Sequence, residues 1–449
     1  MTDDRTLTSP TVADLAAQRH RLHGARPTGT GTWLARRAML ALAGRAGGAV
    51  AIRDATGTTS DATDAAGTSF AGGIPTVRTS TGGGPGTPTI VVRDARAYAA
   101  VLRRGSVGLG EAYVAGWWDS DDLTGTVRGL FRATEPLRRR LDAAGAALAP
   151  VLDALRRPGA PTRARDRDNV RSHYDLSDEL FSRFLDETMA YSCAVFTDAT
   201  TSLADAQRAK FDRICRKLAL GSDDHVVEIG TGWGGFALHA ATAYGCRVTT
   251  TTLSEHQLAE ATERVGRAGL ARRVTVLGED YRDLRGRFDA LVSIEMVEAV
   301  DWRHHRTFMR ACRRLVRDDG RIGLQAIVMD EASEPRARHH ADFIRAMVFP
   351  GGCIPSVRRL VSEAAAAGLR TVDLEDIGAH YAETLRRWRA NLHAASGEME
   401  RLGFGAALRR LWDLYLAYCE AAFLERHISD VQLVLAPPGW RGGLGTRPA

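Results

Sequence analysis

From about residue 200 the chain alternates short apolar runs with amphipathic stretches, and this alternation restricts its fold more than any other feature. A helix around 203–219 precedes the strand "HVVEIG"; a helix from about Gly234 leads to "RVTTTTL", and one from about Glu255 to "RVTVLG" and "DALVSIEM". A helix near 303–316 and the strand "RIGLQAIVM" follow, and beyond about residue 354 the pattern is mainly helical with a closing strand near "SDVQLVLA". Elements in this order predict an α/β fold, a mostly parallel sheet covered by helices on both faces.

Upstream the pattern is looser. Residues 1–30 have no clear period and read as a tail. A helix is expected from Trp33 to Val50, and the Gly/Thr/Ala-rich stretch 54–88 reads as loop around weak strands. "GSVGLGEAYVAGWWDSDDL", residues 105–123, has the glycines and paired tryptophans of a tightly turned, packed element. Leu137, Leu141, Ala144, Leu148, Val151, Leu152 and Leu155 fall near helical spacing, with Arg138 to Arg140 on the other side, which predicts an amphipathic helix over 137–155 kinked at Pro150. The Pro/Gly/Arg-rich residues 156–172 then read as a basic linker and the domain boundary.

A chain of 449 residues is long enough for two domains. The formal charge of +6 suits an anionic partner without choosing among nucleic acid, anionic lipid and an acidic small molecule. Lys210 and Lys217 are the only lysines, so nearly all of the positive charge is arginine, as a biased genome composition would give. The six cysteines form no C-x-x-C pair, which argues against a zinc site or a disulfide framework and for a reducing cytosol. No apolar leader opens the chain and no run reaches the roughly 18–20 residues of a membrane span, so work on lipid is expected from the membrane surface.

"VVEIGTGWGG", residues 226–235, matches G-x-G-x-x-G at Gly230, Gly232 and Gly235 directly after an expected strand. A dinucleotide site wants an acid about 20 residues on, at the end of the second strand. There this chain has "TTTTLSEHQ", and the acid, Glu228, stands before the glycines instead. This E-x-G-x-G arrangement resembles the first motif of S-adenosylmethionine-dependent methyltransferases, in which the acid sits by the ammonium of the methionine moiety.

Further motifs carry a narrower resemblance. "GSVGLGEAYVAGWW", "HYDLSDELFSRFLDETMAYSCAVF", "VFPGGCIPS" and "HYAETLRRW" occur in the order seen in the cyclopropane-fatty-acyl-phospholipid synthase family, which the chain resembles from about residue 90 to 438. The resemblance implies a Rossmann-like class I methyltransferase fold over 173–438, with a mostly parallel seven-stranded sheet and a helical lid. It also implies a smaller N-terminal α+β domain over 31–155 for lipid binding or homodimer formation, and a tail over 439–449. The implied reaction is transfer from S-adenosylmethionine to the cis double bond of an unsaturated phospholipid acyl chain, by a cytoplasmic protein peripheral to the inner membrane surface. By this resemblance the cofactor would meet Glu228, Tyr191, Ser192, Gly230, Thr231, Gly232, Gly234, Thr252, Leu253, Gln257, Tyr281 and Arg282, with Thr252 and Gln257 replacing the missing ribose acid. The family's bicarbonate would fall among Cys193, Glu298, Gln325, Ile327 and Tyr381.

The chemistry accounts for such a cluster. An alkene is a feeble nucleophile, so the methyl donor must be held close and in line. The methylated chain is then a carbocation, and a proton must leave. A strong protein nucleophile would be alkylated, whereas a small anion held by hydrogen bonds is safer. On this reading Glu298 grips bicarbonate, Tyr381 donates to it, and Glu295 is a strand-end neighbour with an undefined hydrogen-bonding role. Tyr174 and Phe349 are cation-facing aromatics. Cys419 matches a cysteine once assigned to the family's active site, but its apolar mid-helix setting favours packing.

The chain departs from the synthases at Gln325, where they have histidine, and at Glu298-Ala299, where they read E-H. Glutamine can hydrogen-bond an anion but cannot accept and pass a proton. The pairing of "VEAV" with "LQAI" resembles the actinobacterial branch linked to tuberculostearic (10-methylstearic) chains, which implies a 10-methylene product and a separate reductase partner; ring closure to a cyclopropane is the alternative. A nucleic-acid or protein methyltransferase would want an N-P-P-Y or P-C-x-x-R motif, and neither is present. A non-catalytic partner subunit would want a degraded glycine loop, and this one is intact.

Overall fold

A computed structural model of the chain describes Arg36 and residues 50–54, 86–155 and 178–445. The expected tail over 1–30, the helix over 33–50 apart from Arg36 and Val50, most of the loop over 54–88, the linker over 156–172 and Tyr174 lie outside them.

Among the described residues, β1 (Ala51–Asp54) runs parallel to β2 (Thr89–Val92), and β3 (Trp118–Ser120) pairs antiparallel with β2. Two short helices, Arg96–Arg104 and Ser106–Val114, lie beside this sheet. The glycines of "GSVGLGEAYV" allow the close packing: a Cβ on Gly108 would stand 2.0 Å from the Ala100 carbonyl oxygen, and one on Gly110 2.2 Å from the Phe343 ring. A long helix, Leu123–Leu155, follows. It starts well before residue 137, and Leu137 and Leu141 of its expected apolar side are 53% and 48% exposed. Its polar side packs instead. Asp142 is buried, accepts from Ser333 Oγ at 2.8 Å and pairs with Arg138 and Arg336, and this network holds the helix against residues 333–336.

The second sheet contains β4 (His225–Ile229), β5 (Arg247–Thr251), β6 (Val274–Leu277), β7 (Phe288–Ile294), β8 (Val316–Met329), β9 (Arg370–Asp376) and β10 (Ile428–Ala436). Their order is β6-β5-β4-β7-β8-β10-β9, parallel through β8, with β10 antiparallel to both neighbours. This is the expected seven-stranded, mostly parallel α/β sheet. The sequence reading did not include β9. Its residues, "RTVDLED", carry four charges on an edge and show no clean alternation.

The chain leaves β4 for β5 on one side and later returns with β7 on the other, so a crevice opens at the carboxyl ends of β4 and β7, where open α/β sheets bind ligands. Over it lie the helices Gly378–Ala394 and Ala406–Leu424. They share an aromatic core with the helix Asp178–Phe184, in which the Phe181 and Phe184 rings each lie 5.4 Å from Trp412. The N-terminal region joins the same core and is tied to it by polar contacts. Tyr113 donates to Asp413 at 2.8 Å, Thr124 to Glu420 at 2.9 Å, and Arg410 to the Trp118 carbonyl at 2.8 Å.

Two glycines test this packing. Gly108→Ala pushes a methyl into backbone that cannot step aside and is expected to destabilise by about 1–3 kcal/mol. Gly266→Ala, in the helix Glu255–Arg267 with open space around it, is expected to stabilise by about 0.5–1 kcal/mol. Urea unfolding of the two variants beside the unmodified chain checks both signs.

Candidate active site

From Val226 to Ile229 β4 is buried, and it is apolar there except for one acid. Glu228 is 2% exposed, its Oε2 has no hydrogen-bond partner, and burial pushes its carboxyl up to about 8. After β4 the backbone turns through Gly230 at φ +100°, and the Gly230 and Thr231 N–H groups donate to the Thr251 carbonyl at 3.0 and 3.1 Å. A Cβ at Gly230 would meet Met296 at 3.1 Å. The turn opens a cavity of about 170 Å³ lined by Glu228, Gly230, Thr231, Gly232, Thr252, Leu253, Gln257, Tyr281, Arg282, Tyr191 and Ser192.

Every expected cofactor residue but one therefore faces a single hollow. The exception is Gly234. It caps the helix Gly235–Ala243 in a left-handed conformation and points toward Ala261 at 3.4 Å, so its role is in the turn. Thr252 donates to Gln257 Oε1 at 2.9 Å, and Asp280 neutralises Arg282 through a 2.6 Å ion pair. A buried carboxyl with one oxygen unpartnered, lining the hollow, suits the ammonium of S-adenosylmethionine, and the glycine turn leaves room beside it.

The segment Tyr191–Cys193 is irregular but well satisfied. Buried Gln207 donates to the Ser192 carbonyl at 2.9 Å, and Lys210 Nζ donates to Ser192 Oγ. Tyr191 and Tyr415 join hydroxyls at 2.8 Å. Lys210 is fully buried, which lowers its ammonium to about 8, while Glu295, Cys193 and Asp430 act to hold it up.

Beyond the hollow, Cys193, Gln325 and Tyr381, which the family resemblance sets around bicarbonate, converge on one carboxyl group. That group is Glu295. Its Oε1 accepts from Cys193 N–H and from Gln325 Nε2, both at 2.8 Å, and its Oε2 accepts from the Tyr381 hydroxyl at 2.6 Å. Every one of these partners is a donor, the pattern an ionised carboxylate requires. The hydrogen-bonding role left undefined for Glu295 in the sequence is thereby specified. Its φ of +49° is unusual for a residue other than glycine and costs about 1–3 kcal/mol.

Glu298 sits one turn on. Its Oε1 accepts from Ile327 N–H at 2.5 Å, its Oε2 has no partner, and burial with the charge of Glu295 pushes it up to about 8. Tyr381 makes no contact with it. Gln325 is oriented by Gln432, which donates to its Oε1 at 3.1 Å, leaving its amide to serve Glu295 and, at 3.0 Å, Asp430. Burial and the neighbouring Glu295 push Asp430 well up. The Cys193 thiol is likewise raised by burial, so this residue contributes its N–H. Cys419 lies outside the cluster, in the helix Ala406–Leu424, with its thiol raised by burial. Phe349 packs against Tyr415 at 5.7 Å.

The sequence reading left the role of Glu295 undefined and missed the parts played by Lys210, Asp430, Gln432 and Asp280. Two signals were present. Lys210 is one of only two lysines and sits in register with Phe211 and Ile214 on a buried helix face, and Asp430 interrupts an apolar strand.

A glycine turn after the first strand of a sheet in this order, with an acid facing the crevice, defines an S-adenosylmethionine-dependent methyltransferase fold. Solved structures agree. The cyclopropane synthase MmaA2 from Mycobacterium tuberculosis matches with a TM-score of 0.57 and 28% identity, over 60% of this chain and 98% of that one. The mycolic acid cyclopropane synthase CmaA1, complexed with SAH and CTAB, matches with a TM-score of 0.57 and 30% identity, over 60% and 97%. The chain belongs to the mycolic acid cyclopropane synthetase family, whose model matches residues 162–433. Tuberculostearic acid methyltransferase UfaA1 of Mycobacterium tuberculosis is 39% identical over 79% of this chain and 84% of its own length. Cyclopropane-fatty-acyl-phospholipid synthase of Escherichia coli is 35% identical over 77% and 87%.

The Glu228 carboxyl makes cofactor binding depend on pH. Below about 8 the free protein holds this group protonated, and an ammonium partner favours the carboxylate, so binding releases a proton near neutrality. Affinity for S-adenosylmethionine is expected to rise from pH 6 and peak near pH 8, because an α-amino group itself titrates at about 7.7–8.0. Glu228→Gln is expected to weaken binding about 10- to 100-fold and flatten the rise. Isothermal titration in buffers of differing ionisation enthalpy measures both effects.

Proposed function

We propose that this protein transfers a methyl group from S-adenosylmethionine to the cis double bond of an unsaturated phospholipid acyl chain and releases a 10-methylene chain, which a reductase then saturates. The observation that carries the reading is the meeting, at Glu295, of the Glu228 hollow with a buried acid cluster under an aromatic lid. When bound, the cofactor supplies an electrophilic methyl on sulfur. Glu228 takes its ammonium end, and Tyr191 and Ser192 hold the side nearest the lid. The aromatic core excludes water that would otherwise trap a carbocation, and the acid cluster takes up the proton. The raised Cys193 and Cys419 thiols stay protonated and are poor traps for the cation.

Bicarbonate, which the family resemblance implies, does not fit this arrangement. The Cys193 N–H, the Gln325 amide and the Tyr381 hydroxyl already bond Glu295, and the Ile327 N–H bonds Glu298. The methylene product is supported by the 39% identity to a tuberculostearic acid methyltransferase and by Gln325, which cannot relay a proton as histidine can. Work at the inner face of a membrane is supported by the net charge of +6 and by exposed Leu137 and Leu141 beside exposed Arg139 and Arg140. Among the described residues no helix is long and apolar enough to cross a bilayer.

Labelled S-adenosylmethionine, offered in parallel to oleoyl phospholipid vesicles, tRNA and protein, is expected to label only the lipid. Proton NMR of the product should show vinylidene signals. High-field cyclopropane signals would replace the methylene assignment, and label confined to tRNA or protein would overturn the lipid reading.

A further inference from the structure

The cluster beyond the hollow is built to hold an anion, and the chain supplies that anion itself. We propose that the Glu295 carboxylate is the resident base of the transfer, doing from a side chain what a diffusible anion would otherwise do; this rests on the methyl-transfer reading above.

Position supports it first. Glu295 lines the cofactor hollow and reaches the cluster behind it, whereas Glu298 is not part of the hollow's wall. Conformation supports it next. At φ +49° the backbone has the shape that glycine adopts at no cost, and the Glu295 N–H is tied to the Gln325 carbonyl at 2.8 Å, so a glutamate stands here against the local preference of the chain. The remaining groups leave it the role. Gln325 does not titrate, Tyr381 is a donor, Glu298 stands outside the hollow's wall with one oxygen on the Ile327 N–H, and the raised Asp430 carboxyl bonds Gln325 and Glu295.

The hydrogen bonds also explain how a carboxylate survives beside a methyl donor. Three donors engage three of its roughly four lone-pair sites. Its nucleophilicity is thereby damped, and the raised Asp430 carboxyl hydrogen-bonds it as well. Buried Lys210, on the Ser192 hydroxyl, supplies countercharge.

The alkene π pair forms a C–C bond to the sulfonium methyl, the S–C pair stays on sulfur, and the cation appears on the other alkene carbon. A hydride shift moves the cation to the methylated carbon. Glu295 then takes a proton from the transferred methyl, whose C–H pair becomes the C=CH2 double bond of the methylene branch. Without the hydride shift the same C–H pair closes a three-membered ring, so one base serves either product.

The test uses the full chain in bicarbonate-depleted and bicarbonate-supplemented buffer, with two readouts: methyl transfer to oleoyl vesicles, and melting temperature with bicarbonate as the only added anion. The unmodified enzyme is expected to be indifferent to bicarbonate in both. Glu295→Gly is expected to lose about 10²-fold or more in turnover without bicarbonate, to regain about tenfold or more with it, and to melt higher in its presence. Glu295→Gln, which keeps the shape without the base, should lose turnover with no rescue, and retained S-adenosylmethionine binding shows that each variant is folded. Bicarbonate dependence of the unmodified enzyme, a melting rise in the unmodified enzyme, or full turnover of Glu295→Gln overturns the proposal. Should the unmodified enzyme transfer no methyl to lipid yet show the melting contrast, the substrate reading fails while the occupied cradle stands.

Discussion

The architecture of the site depends on one half-buried carboxylate held by donors from three distant parts of the chain. Cys193 comes from the loop before the helix Leu203–Lys217, Gln325 from β8 and Tyr381 from the lid helix Gly378–Ala394, and all three meet on the residue after β7. An ionised group in such a place is tolerable only when its hydrogen bonds are satisfied. Satisfying them fixes the loop, the strand and the lid relative to one another, so the acid organises the site as well as serving it.

Charge around that acid is arranged in tiers. Glu228 and Glu298 are pushed up to about 8 by burial and so carry little charge at neutral pH, while Lys210 is lowered only to about 8 and keeps much of its own. For each carboxyl the sign is the same. The folded value lies above the unfolded one, so the contribution to stability is complete below about 4.5 and lost as pH rises through about 8. An ammonium beside Glu228 reverses that loss, which couples the stability of the protein to occupancy of the hollow.

Much of this was legible in the sequence. Alternating apolar runs gave the sheet, and E-x-G-x-G gave the side of the sheet on which a ligand sits, because both follow from local periodicity and turn chemistry. The bonding partners in the cluster were not legible. Glu295 and Glu298 lie three residues apart in the same apolar run, and only the left-handed turn at 295 decides which one faces Cys193 and Tyr381. The long helix misled for a related reason. Its leucines at helical spacing suggested a core-facing side, but an ion-pair network around Asp142 supplied the docking contact and left Leu137 and Leu141 in solvent. Side-chain networks joining residues nearly 200 positions apart leave no periodic trace.

The extra N-terminal region has a mechanical consequence. The solved relatives are covered almost completely while matching only 60% of this chain, and the additional mass here is bolted to the lid through Tyr113, Thr124 and the Arg410 contact with Trp118. Any displacement of these two helices from the crevice must therefore carry the N-terminal region along or break those three contacts.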